Sequence, residues 1–585
     1  MRWEKTSEGS DWNARRAFRE EDEKSFWFKD HLHNPVPLSP IGASIYLDCL
    51  SWGYQVAAQE LSIPTTKGYD IVVYRGWLYQ GPKTLSDEEE IKRREVVFKR
   101  KIAYVLKNWE KYYGKAVNEW LKNIKYLNAF DLEKPSFSAL LNHLEKVLRI
   151  QKRHWELHFL IIYPVQIFYL LLEQLCRKYE MGEKEFTKFL QGFENKMLET
   201  DRELWTIARR IKQFGLTDMF IREDRMEELP TKLRQNDMGK RWLEEFNGFL
   251  QIYGNRIGAG ILDYNYPTWC ENPGPVLETL KTYLLKGDFD FEENKKVLVE
   301  EREQAIENAL MKIPTVEERK KFKRALEAAQ KTYPANEDHN FYVEQGTFAA
   351  VRRVLLECGE RLSERGIIER ADDVFFLTID ELKVVVDGLA YNEGIAIFFH
   401  RLRLPQLVEE RRRLWKKLCE IDTPLFLGKF SKELKHPPTV EFLGFRVVMN
   451  DPITMKVFGI IPELLRREAE KEVEKVENLL EGYIGSAGIV EGPARVILSH
   501  KEFGSIMPGD ILVCVSTTPA WTPIFSKIKA IVTDTGGLTS HTAIAAQEYR
   551  IPAVVGTWNA TKVIKNGQRI RVDGTTGVVK LLKAR

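Results

Sequence analysis

One histidine follows a predicted strand and a tight turn in the last tenth of the sequence. The segment Thr533–Thr557 reads TDTGGLTSHTAIAAQEYRIPAVVGT, and its histidine is His541. The apolar residues Ala530–Thr533 predict a strand that runs into Gly536 and Gly537. Because glycine has no Cβ atom, the chain can turn tightly here and the backbone can approach a ligand closely. The pattern therefore places His541 where a small ligand could reach both the ring and the backbone.

The residues around this histidine predict a helix that begins beside it. Thr539 or Ser540 can cap a helix over Thr542–Tyr549, with His541 at its start. The first amide groups of such a helix and its dipole favour an anion at that end. The predicted catalytic residues are His541 and Thr539, and the predicted phosphate-binding residues are Gly536, Gly537, Ser540 and Thr542.

A histidine beside an anion site suits phosphoryl transfer. An unperturbed imidazole has a pKa of about 6.5, so the ring is largely neutral and nucleophilic at neutral pH. Once phosphorylated, the ring is a labile phosphoramidate, and covalent catalysis of this kind splits one transfer into two easier steps. The alternative is a histidine that only begins a helix. The spacing and the neighbouring residues favour a phosphoryl carrier.

Several motifs in this part of the chain resemble one known family. The pattern G-G-x-T-x-H-x-A covers Gly536–Ala543, and IPAVVG follows at 551–556. GSAGIVEGPARVI (485–497), PGDILV (508–513) and TPAWTPIF (518–525) also match. Residues 484–585 are thereby similar to the mobile, or swivelling, phosphohistidine domain of the PEP-utilising enzymes, which include PEP synthase, pyruvate phosphate dikinase, enzyme I and the rifampicin phosphotransferases. One departure is Gln547, where many members carry arginine.

The hydrophobic pattern changes along the chain and predicts where this domain begins and what precedes it. Apolar residues at three- and four-residue spacing predict helices from about Asp87 to Leu382, after a strand or hairpin at Tyr69–Gly81. After Gly485, short apolar runs alternate with loops and short helical patterns, as in a compact α/β domain. The predicted fold class is α plus α/β, with a large, mostly α-helical substrate domain (1–400), a helical connector (401–483) and a small C-terminal α/β phosphohistidine swivelling domain (484–585).

The connector contains two charged helical patterns, Val408–Cys419 and LLRREAEKEVEKVENLL at 464–480. Their charge runs are typical of solvated helix faces. The resemblance implies that the phosphohistidine domain visits two sites. We therefore predict that it swings as a rigid body on hinges near Tyr483–Gly488.

The composition argues against several classes of protein. The 585 residues carry a formal net charge of +3 without a polybasic stripe, so nucleic acid is a poor candidate partner. The six cysteines are scattered without a C-x-x-C pair, which fits a reducing cytoplasm. The N-terminal residues lack the apolar core of a signal peptide. The most apolar run, Phe159–Leu172, contains Pro164 and is short for a bilayer, so we predict a buried helix and a cytoplasmic protein with no membrane contact.

Four segments of the helical part, Phe26–Pro40, Tyr253–Pro273, Glu337–Gln345 and Arg352–Leu382, carry a second resemblance. They are similar to the substrate domain of rifampicin phosphotransferases and of phenylphosphate synthase. A phenol acceptor needs an apolar pocket, and also a base or a cation, because a phenolic hydroxyl has a pKa of about 10. The predicted substrate-binding residues in these segments are Asp30, His33, Arg256, Glu337, Asp338 and His339.

The resemblance also implies parts for which the sequence shows no pattern. Members that use PEP place a TIM barrel after the mobile domain, and members that use ATP within one chain carry an ATP-grasp-like domain. We therefore expect a separate ATP-binding subunit with Mg²⁺ or Mn²⁺ at its site, and we predict no metal site here. His154 and His158 lack the glutamate of an HExxH zinc site, which favours a core or pocket-lining role.

The size and the expected two-subunit arrangement look most like the phosphohistidine subunit of phenylphosphate synthase. The reaction of that family converts phenol, ATP and water to phenylphosphate, AMP and phosphate. We therefore expect His541 to accept a phosphoryl group from the ATP-binding subunit and to transfer it to phenol. Two alternatives stay open: the same mechanism with another hydroxyl acceptor, such as a rifampicin-like antibiotic or an alcohol, and a non-enzymatic phosphocarrier or regulatory protein.

Overall fold

The chain divides into two compact units in the computed structural model. The first unit contains Met1–Ile161, Ile261–Tyr266 and Tyr342–Pro438, and the second contains Ile162–Gly260, Pro267–Phe341 and Thr439–Arg585. The structure describes residues 17–257, 262–285, 290–421, 423–429, 439–442, 445–448, 478–498, 500–518, 521–525 and 527–582.

Helices make up most of the described chain before residue 420. The α-helices are α1 (Pro40–Glu60), α2 (Glu88–Lys107), α3 (Trp109–Ala129), α4 (Phe137–Lys178), α5 (Glu183–Lys188), α6 (Lys196–Gln213), α7 (Thr217–Arg222), α8 (Leu229–Leu233), α9 (Asp237–Tyr253), α10 (Gly274–Leu285), α11 (Phe291–Lys312), α12 (Val316–Thr332), α13 (Ala335–His339), α14 (Gly346–Glu364), α15 (Ile379–Tyr391), α16 (Glu393–Cys419), α17 (Thr522–Phe525), α18 (His541–Glu548) and α19 (Ala560–Val563). Short 3₁₀ turns cover Glu20–Lys24, Ala371–Phe376 and His500–Ser505, and a π-helical turn covers Asn340–Gln345.

The strands lie mainly in the C-terminal part of the chain. They are β1 (Phe26–Lys29), β2 (Thr66–Tyr74), β3 (Trp77–Thr84), β4 (Phe426–Gly428), β5 (Thr439–Phe442), β6 (Phe445–Val448), β7 (Leu479–Glu481), β8 (Tyr483–Ser486), β9 (Ile489–Ile497), β10 (Ile511–Cys514), β11 (Ala530–Thr533), β12 (Ala553–Val555), β13 (Arg569–Asp573) and β14 (Val578–Leu581).

The first unit combines long helices with a small antiparallel sheet in the order β2-β3-β1-β4. The hairpin predicted at Tyr69–Gly81 is confirmed as β2 and β3. Arg75 and Gly76 form its turn with φ values of 51° and 78°. Two consecutive left-handed residues match the twist of a two-residue hairpin.

In the second unit, eight strands form one sheet in the order β7-β14-β13-β9-β10-β11-β12-β8. Strands β9 to β12 pair in parallel, and the remaining pairs are antiparallel. The short strands predicted in this part are confirmed as β9 to β13, and so is the mixed fold class. Residues 478–582 are called the C-terminal sheet region below, and residues 162–341 are called the central helical region.

The eight-stranded sheet closes on itself at Gly482. Strands β7 and β8 stand at opposite ends of the strand order, although Gly482 alone separates them in the chain. The Gly482 amide donates to the Gly577 carbonyl at 2.9 Å, and a Cβ atom on Gly482 would lie 2.5 Å from the Val555 carbonyl oxygen. Only glycine fits at this point of closure.

This pairing corrects two predictions about the connector. Leu479 and Leu480, predicted as the end of a polar helix, belong to strand β7, and residues 464–477 of that pattern lie outside the described residues. The hinge predicted near Tyr483–Gly488 is also wrong, because Tyr483–Ser486 pairs with β12 inside the sheet. Both segments are strands because they hydrogen-bond to strands that are distant in the sequence, and a local charge pattern gives no sign of such pairing.

The apolar run Phe159–Leu172 is helical and buried, as predicted, within α4. By length and composition α4 alone among the described helices could cross a membrane, but 89% of its most apolar window is buried inside the protein. Such burial is typical of a core helix.

One hydrophobic core continues from the central helical region into the C-terminal sheet region. In the helices, Trp205 stacks on Tyr283 with 4.0 Å between ring centroids. From the sheet region, Phe525 and Ala545 belong to the same core, and Tyr549 packs against it. Burying one large apolar side chain contributes about 1.5–3 kcal/mol. This shared core holds α18, and therefore His541, against the helices.

Candidate active site

His541 is the first residue of α18, directly after the turn that leaves β11. Gly536 has a φ of +113°, and a Cβ atom there would lie 2.9 Å from Ser540 Oγ. Ser540 is the N-cap of α18, and its side chain accepts from the Ala543 amide at 3.5 Å. The local sequence therefore forms the predicted strand, turn and capped helix, with the histidine ring at the helix N-terminus.

The two ring nitrogens of His541 have different surroundings. Nδ1 lies 3.0 Å from Glu337 Oε2, in a pair whose side chains are 8% and 2% exposed. Nε2 is buried and has no hydrogen-bond partner among the described residues. An ionised glutamate can only accept, so Nδ1 is the donor in this pair. The lone pair of a neutral ring then lies on Nε2, which is the nucleophilic nitrogen.

Two hydrogen bonds join the turn before His541 to the central helical region, and a third links their two partners. Thr539 Oγ1 donates to Gln166 Oε1 at 3.4 Å, and Gln166 Nε2 donates to Asn336 Oδ1 at 2.7 Å. Asn336 Nδ2 in turn donates to the Thr539 carbonyl at 3.3 Å. Gln166 on α4 and Asn336 on α13 are both buried. These contacts place Glu337, the next residue of α13, beside the imidazole.

A second buried polar group lies on α6. Asp201 Oδ2 accepts a short hydrogen bond from Tyr549 Oη, while Asp201 Oδ1 is buried without a partner among the described residues. Burial raises the pKa of Asp201 to about 6, although the charges of Arg256 and His541 and the Tyr549 hydrogen bond act in the opposite direction. A carboxylate with such a pKa can exchange a proton near neutral pH.

Arg256, directly after α9, supplies a buried cation to this group. It is 2% exposed, and its Nη2 donates to Thr200 Oγ1 at 2.9 Å. Burial lowers its pKa, whereas the nearby charges of Asp201, Tyr549 and Glu337 raise it. A guanidinium buried among acidic groups can neutralise a bound phosphoryl group.

The remaining predicted residues of the second unit have local partners. Asp338 Oδ1 accepts from the Lys196 amide at 2.8 Å, and His339 Nδ1 lies 3.1 Å from the Ala335 carbonyl. Thr542 Oγ1 lies 2.8 Å from Thr517 Oγ1 and accepts from the Thr517 amide at 3.1 Å. The carbonyl of Gly537 accepts from the Ser540 amide at 3.0 Å.

Asp30 and His33 belong to the first unit, whereas His541, Glu337, Asp201 and Arg256 belong to the second. His33 Nδ1 lies 3.1 Å from both carboxylate oxygens of Asp30, and Gln80 Nε2 donates to Asp30 Oδ2 at 2.7 Å. His154 and His158 are buried in the same unit. Within the described ranges, no three His, Cys, Asp or Glu side chains are grouped so that they could hold a metal ion.

Gln547, at the position where the resemblance leads one to expect arginine, has a structural contact. Its Nε2 donates to the Gly485 carbonyl at 2.7 Å and so fastens α18 to β8. The side chain is buried within the C-terminal sheet region. The cation beside the site is Arg256, from the central helical region.

Sequence reasoning missed Asp201, Tyr549, Gln166 and Asn336. Asp201 stands in the charged helical stretch ETDREL, where an acidic residue normally faces water. Tyr549 was assigned only to the end of the predicted helix. A polar residue within an otherwise apolar run, as Gln166 is in Phe159–Leu172, was the one available signal, since such residues are buried only when hydrogen-bonded.

Comparisons with known proteins agree with this geometry. Residues 506–577 match the mobile domain of PEP-utilising enzymes, and residues 158–337 match the rifampicin phosphotransferase fourth domain. The first match contains His541, and the second contains Asp201, Arg256 and Glu337.

Relatives with similar sequences include three bacterial and archaeal proteins. An uncharacterized phosphotransferase of Bacillus subtilis (strain 168) is 29% identical over 569 residues, which cover 96% of this chain and 62% of that protein. The rifampicin phosphotransferase of the same organism is 30% identical over 60% of this chain and 36% of its own length. The phosphoenolpyruvate synthase of Pyrococcus furiosus is 43% identical over 133 residues, 23% of this chain and 16% of that protein.

The chain thus spans less than two thirds of the length of these relatives. The matches nevertheless cover both sides of the His541–Glu337 contact. Over residues 506–577 the chain is similar to the mobile domain of PEP-utilising enzymes, and over residues 158–337 to the rifampicin phosphotransferase fourth domain.

Proposed function

We propose that this chain is a phosphohistidine phosphotransferase that carries a phosphoryl group on Nε2 of His541 and delivers it to a hydroxyl acceptor. The observation that carries the proposal is the asymmetry of the imidazole. Glu337 holds Nδ1 at 3.0 Å, while Nε2 is buried without a partner in the described part of the chain. A buried polar atom without a protein partner calls for an explanation, and at a helix N-terminus, where anions are favoured, a phosphoryl group on Nε2 supplies one.

In the charging step, the lone pair of Nε2 forms a bond to phosphorus as the bond from phosphorus to the donor oxygen breaks. The electron pair of that bond leaves with the donor oxygen. Nδ1 keeps its proton throughout. After charging, the phosphohistidine lies against the central helical region, where Glu337 accepts from Nδ1 and stabilises the positive charge on the ring. Arg256 there balances the negative charge of the phosphoryl group.

In the delivery step, the acceptor oxygen bonds to phosphorus as the P–N bond breaks and its electron pair returns to Nε2. The acceptor must also lose its hydroxyl proton. Asp201 is the proposed base, because its Oδ1 is buried without a partner in the described residues and burial raises its pKa to about 6. A base with a pKa near the working pH combines correct protonation with sufficient driving force.

We propose phenol, or a similar aromatic hydroxyl, as the acceptor, on the resemblance to phenylphosphate synthase. A rifampicin-like hydroxyl is the second candidate, which the names of the relatives favour. The donor is proposed to be ATP on a separate subunit. The Mg²⁺ or Mn²⁺ that accompanies ATP is proposed to bind at that subunit.

An exchange assay tests the function without the donor subunit. The full chain is mixed with phenylphosphate and isotopically labelled phenol, and label in phenylphosphate is measured. We expect exchange in the natural chain, none in His541→Ala, and normal exchange in the control His400→Ala, whose histidine lies in the first unit. Exchange between rifampicin phosphate and rifampicin, without exchange of phenol, would identify the antibiotic hydroxyl as the acceptor. Undiminished exchange by His541→Ala would refute the phosphohistidine mechanism.

A further inference from the structure

Helix α18 contacts the central helical region at both of its ends. At its C-terminal end, three consecutive residues bind three different elements. Glu548 Oε1 accepts from the Gly192 amide at 3.0 Å, Tyr549 donates to Asp201, and Arg550 Nη2 lies 3.0 Å from Glu301 Oε1.

The Glu548 backbone adds a further contact, with the same helix that carries Glu301. Asn294 Nδ2, near the start of α11, donates to the Glu548 carbonyl at 2.8 Å. This carbonyl is one of the last acceptors of α18, which have no partner within the helix. The Glu548 side chain is buried in the contact, and the Tyr549 ring is partly buried against the shared core.

The backbone at Arg550 is strained in a way that points to a role for its side chain. Arg550 has a φ of +54°, and the Ile551 amide donates to the Ala546 carbonyl at 2.8 Å. This is the left-handed helix ending that glycine normally provides at no steric cost. A non-glycine residue in this conformation suggests that its side chain makes an interaction that glycine could not make. Among the described residues the Arg550 side chain pairs with Glu301, and this ion pair accounts for an arginine at the position.

Glu548 and Arg550 stand apart from the reacting atoms. The helix rises about 1.5 Å per residue, so Glu548 lies roughly 11 Å along α18 from His541. Their contacts therefore act on how the C-terminal sheet region is held, whereas the Tyr549 contact also reaches Asp201, the proposed base.

We propose that Glu548, Tyr549 and Arg550 form a latch that holds the C-terminal sheet region in the position for delivery. The inference rests on the proposed function: because Nε2 is buried here, a donor on a separate subunit reaches it only when the phosphohistidine leaves this position. The latch sets the fraction of molecules in which Nε2 faces the central helical region. Weakening it exposes His541 and slows delivery, because delivery requires the closed arrangement.

Chemical phosphorylation tests the latch without any partner protein. Potassium phosphoramidate phosphorylates accessible histidines: the Nε2 lone pair bonds to phosphorus as the P–N bond breaks and ammonia leaves. The rate of labelling at His541 is measured by mass spectrometry of the full chain. We expect Tyr549→Phe to accelerate labelling on the order of tenfold, the effect of losing one hydrogen bond to a charged group. Arg550→Gly relieves the backbone strain, so it should fold well and still accelerate labelling, by a few-fold, since the ion pair is half exposed.

Hydrogen exchange at Gly192 provides a second measurement that needs no chemistry at His541. The Gly192 amide donates to Glu548, so its peptide should exchange faster in Tyr549→Phe and Arg550→Gly. The matched control is Arg571→Gly, which removes an exposed ion pair with Glu491 inside the C-terminal sheet region. The control should change neither labelling at His541 nor exchange at Gly192.

The two measurements separate the latch from the proposed function. Unchanged or slower labelling together with unchanged exchange at Gly192 in both variants would overturn the latch, even if His541 carries phosphate. Faster exchange at Gly192 with no phosphate on His541 in any variant would support the latch and count against the carrier role. The charge-reversed pair Arg550→Glu with Glu301→Arg should restore both rates toward those of the natural chain.

Discussion

The contact between Glu337 and His541 gives the most direct prediction about catalysis. Replacing Glu337 with glutamine keeps the size and shape of the side chain but removes its charge. The amide of glutamine can accept from Nδ1 through its oxygen or donate to Nδ1 through its nitrogen. The second arrangement shifts the ring proton to Nε2 and blocks the nucleophile. The variant therefore tests whether the charge fixes the tautomer.

The magnitude follows from the burial of the pair. Both side chains are less than a tenth exposed, so water screens the interaction little. A hydrogen bond to a charged group contributes about 1.5–3 kcal/mol, compared with about 0.5–1.5 kcal/mol between neutral groups. The difference of about 1–1.5 kcal/mol corresponds to a rate reduction of roughly 5- to 13-fold.

The assay is the exchange of labelled phenol into phenylphosphate, combined with ¹⁵N NMR of histidine to identify the tautomer. The matched control is Asp338→Asn, because Asp338 is the next residue and accepts from the Lys196 amide instead of contacting His541. We expect slower exchange and a mixed tautomer only in Glu337→Gln. An unchanged exchange rate with an unchanged tautomer would refute the role assigned to Glu337.

Three further predictions concern other residues of the site. Asp201→Asn should slow transfer to the acceptor by about 10²–10⁴-fold and remove the rise in transfer rate through about pH 6. The rate of phosphoramidate labelling of His541 should stay within a few-fold of that of the natural chain. An equal loss in both assays would exclude a base at this position. Burial raises the pKa of Glu548 from 4.5 to about 8. Between these pH values the native state binds one proton more than the unfolded state does. The free energy of unfolding should therefore fall as the pH rises from about 5 to 8. Thermal unfolding of Glu548→Gln over this range should show a flatter pH dependence, and an unaltered slope would contradict the assignment. Ser540→Ala should lower the free energy of unfolding by about 0.5–1 kcal/mol in urea titrations, and no change would mean that its contact with Ala543 contributes nothing.

Local chemistry made part of the site predictable from the sequence. The turn at Gly536, the cap at Ser540 and the position of His541 depend on residues within a few places of one another. The short strands β9 to β13 were also predictable, because each is an apolar run bounded by turn residues. Glu337 was found only through a resemblance of its segment to known substrate domains.

Contacts between distant parts of the chain were not predictable. Glu337 and His541 are 204 residues apart, and Asp201 and Tyr549 are 348 residues apart. No periodicity reports such pairs, since each partner fits its own helix equally well in isolation. The same holds for Leu479, whose strand conformation depends on pairing with β14 a hundred residues later.

The closure of the eight-stranded sheet at Gly482 reduces the risk that the C-terminal sheet region aggregates through an exposed edge strand. A sheet with free edges offers unpaired amide and carbonyl groups to any strand that it meets, and aggregation is the usual result. Because β7 and β8 come together through a single glycine, the sheet has no long open edge on either side. In the proposed transfer, the C-terminal sheet region can therefore leave the central helical region and return without offering an unpaired strand to another chain.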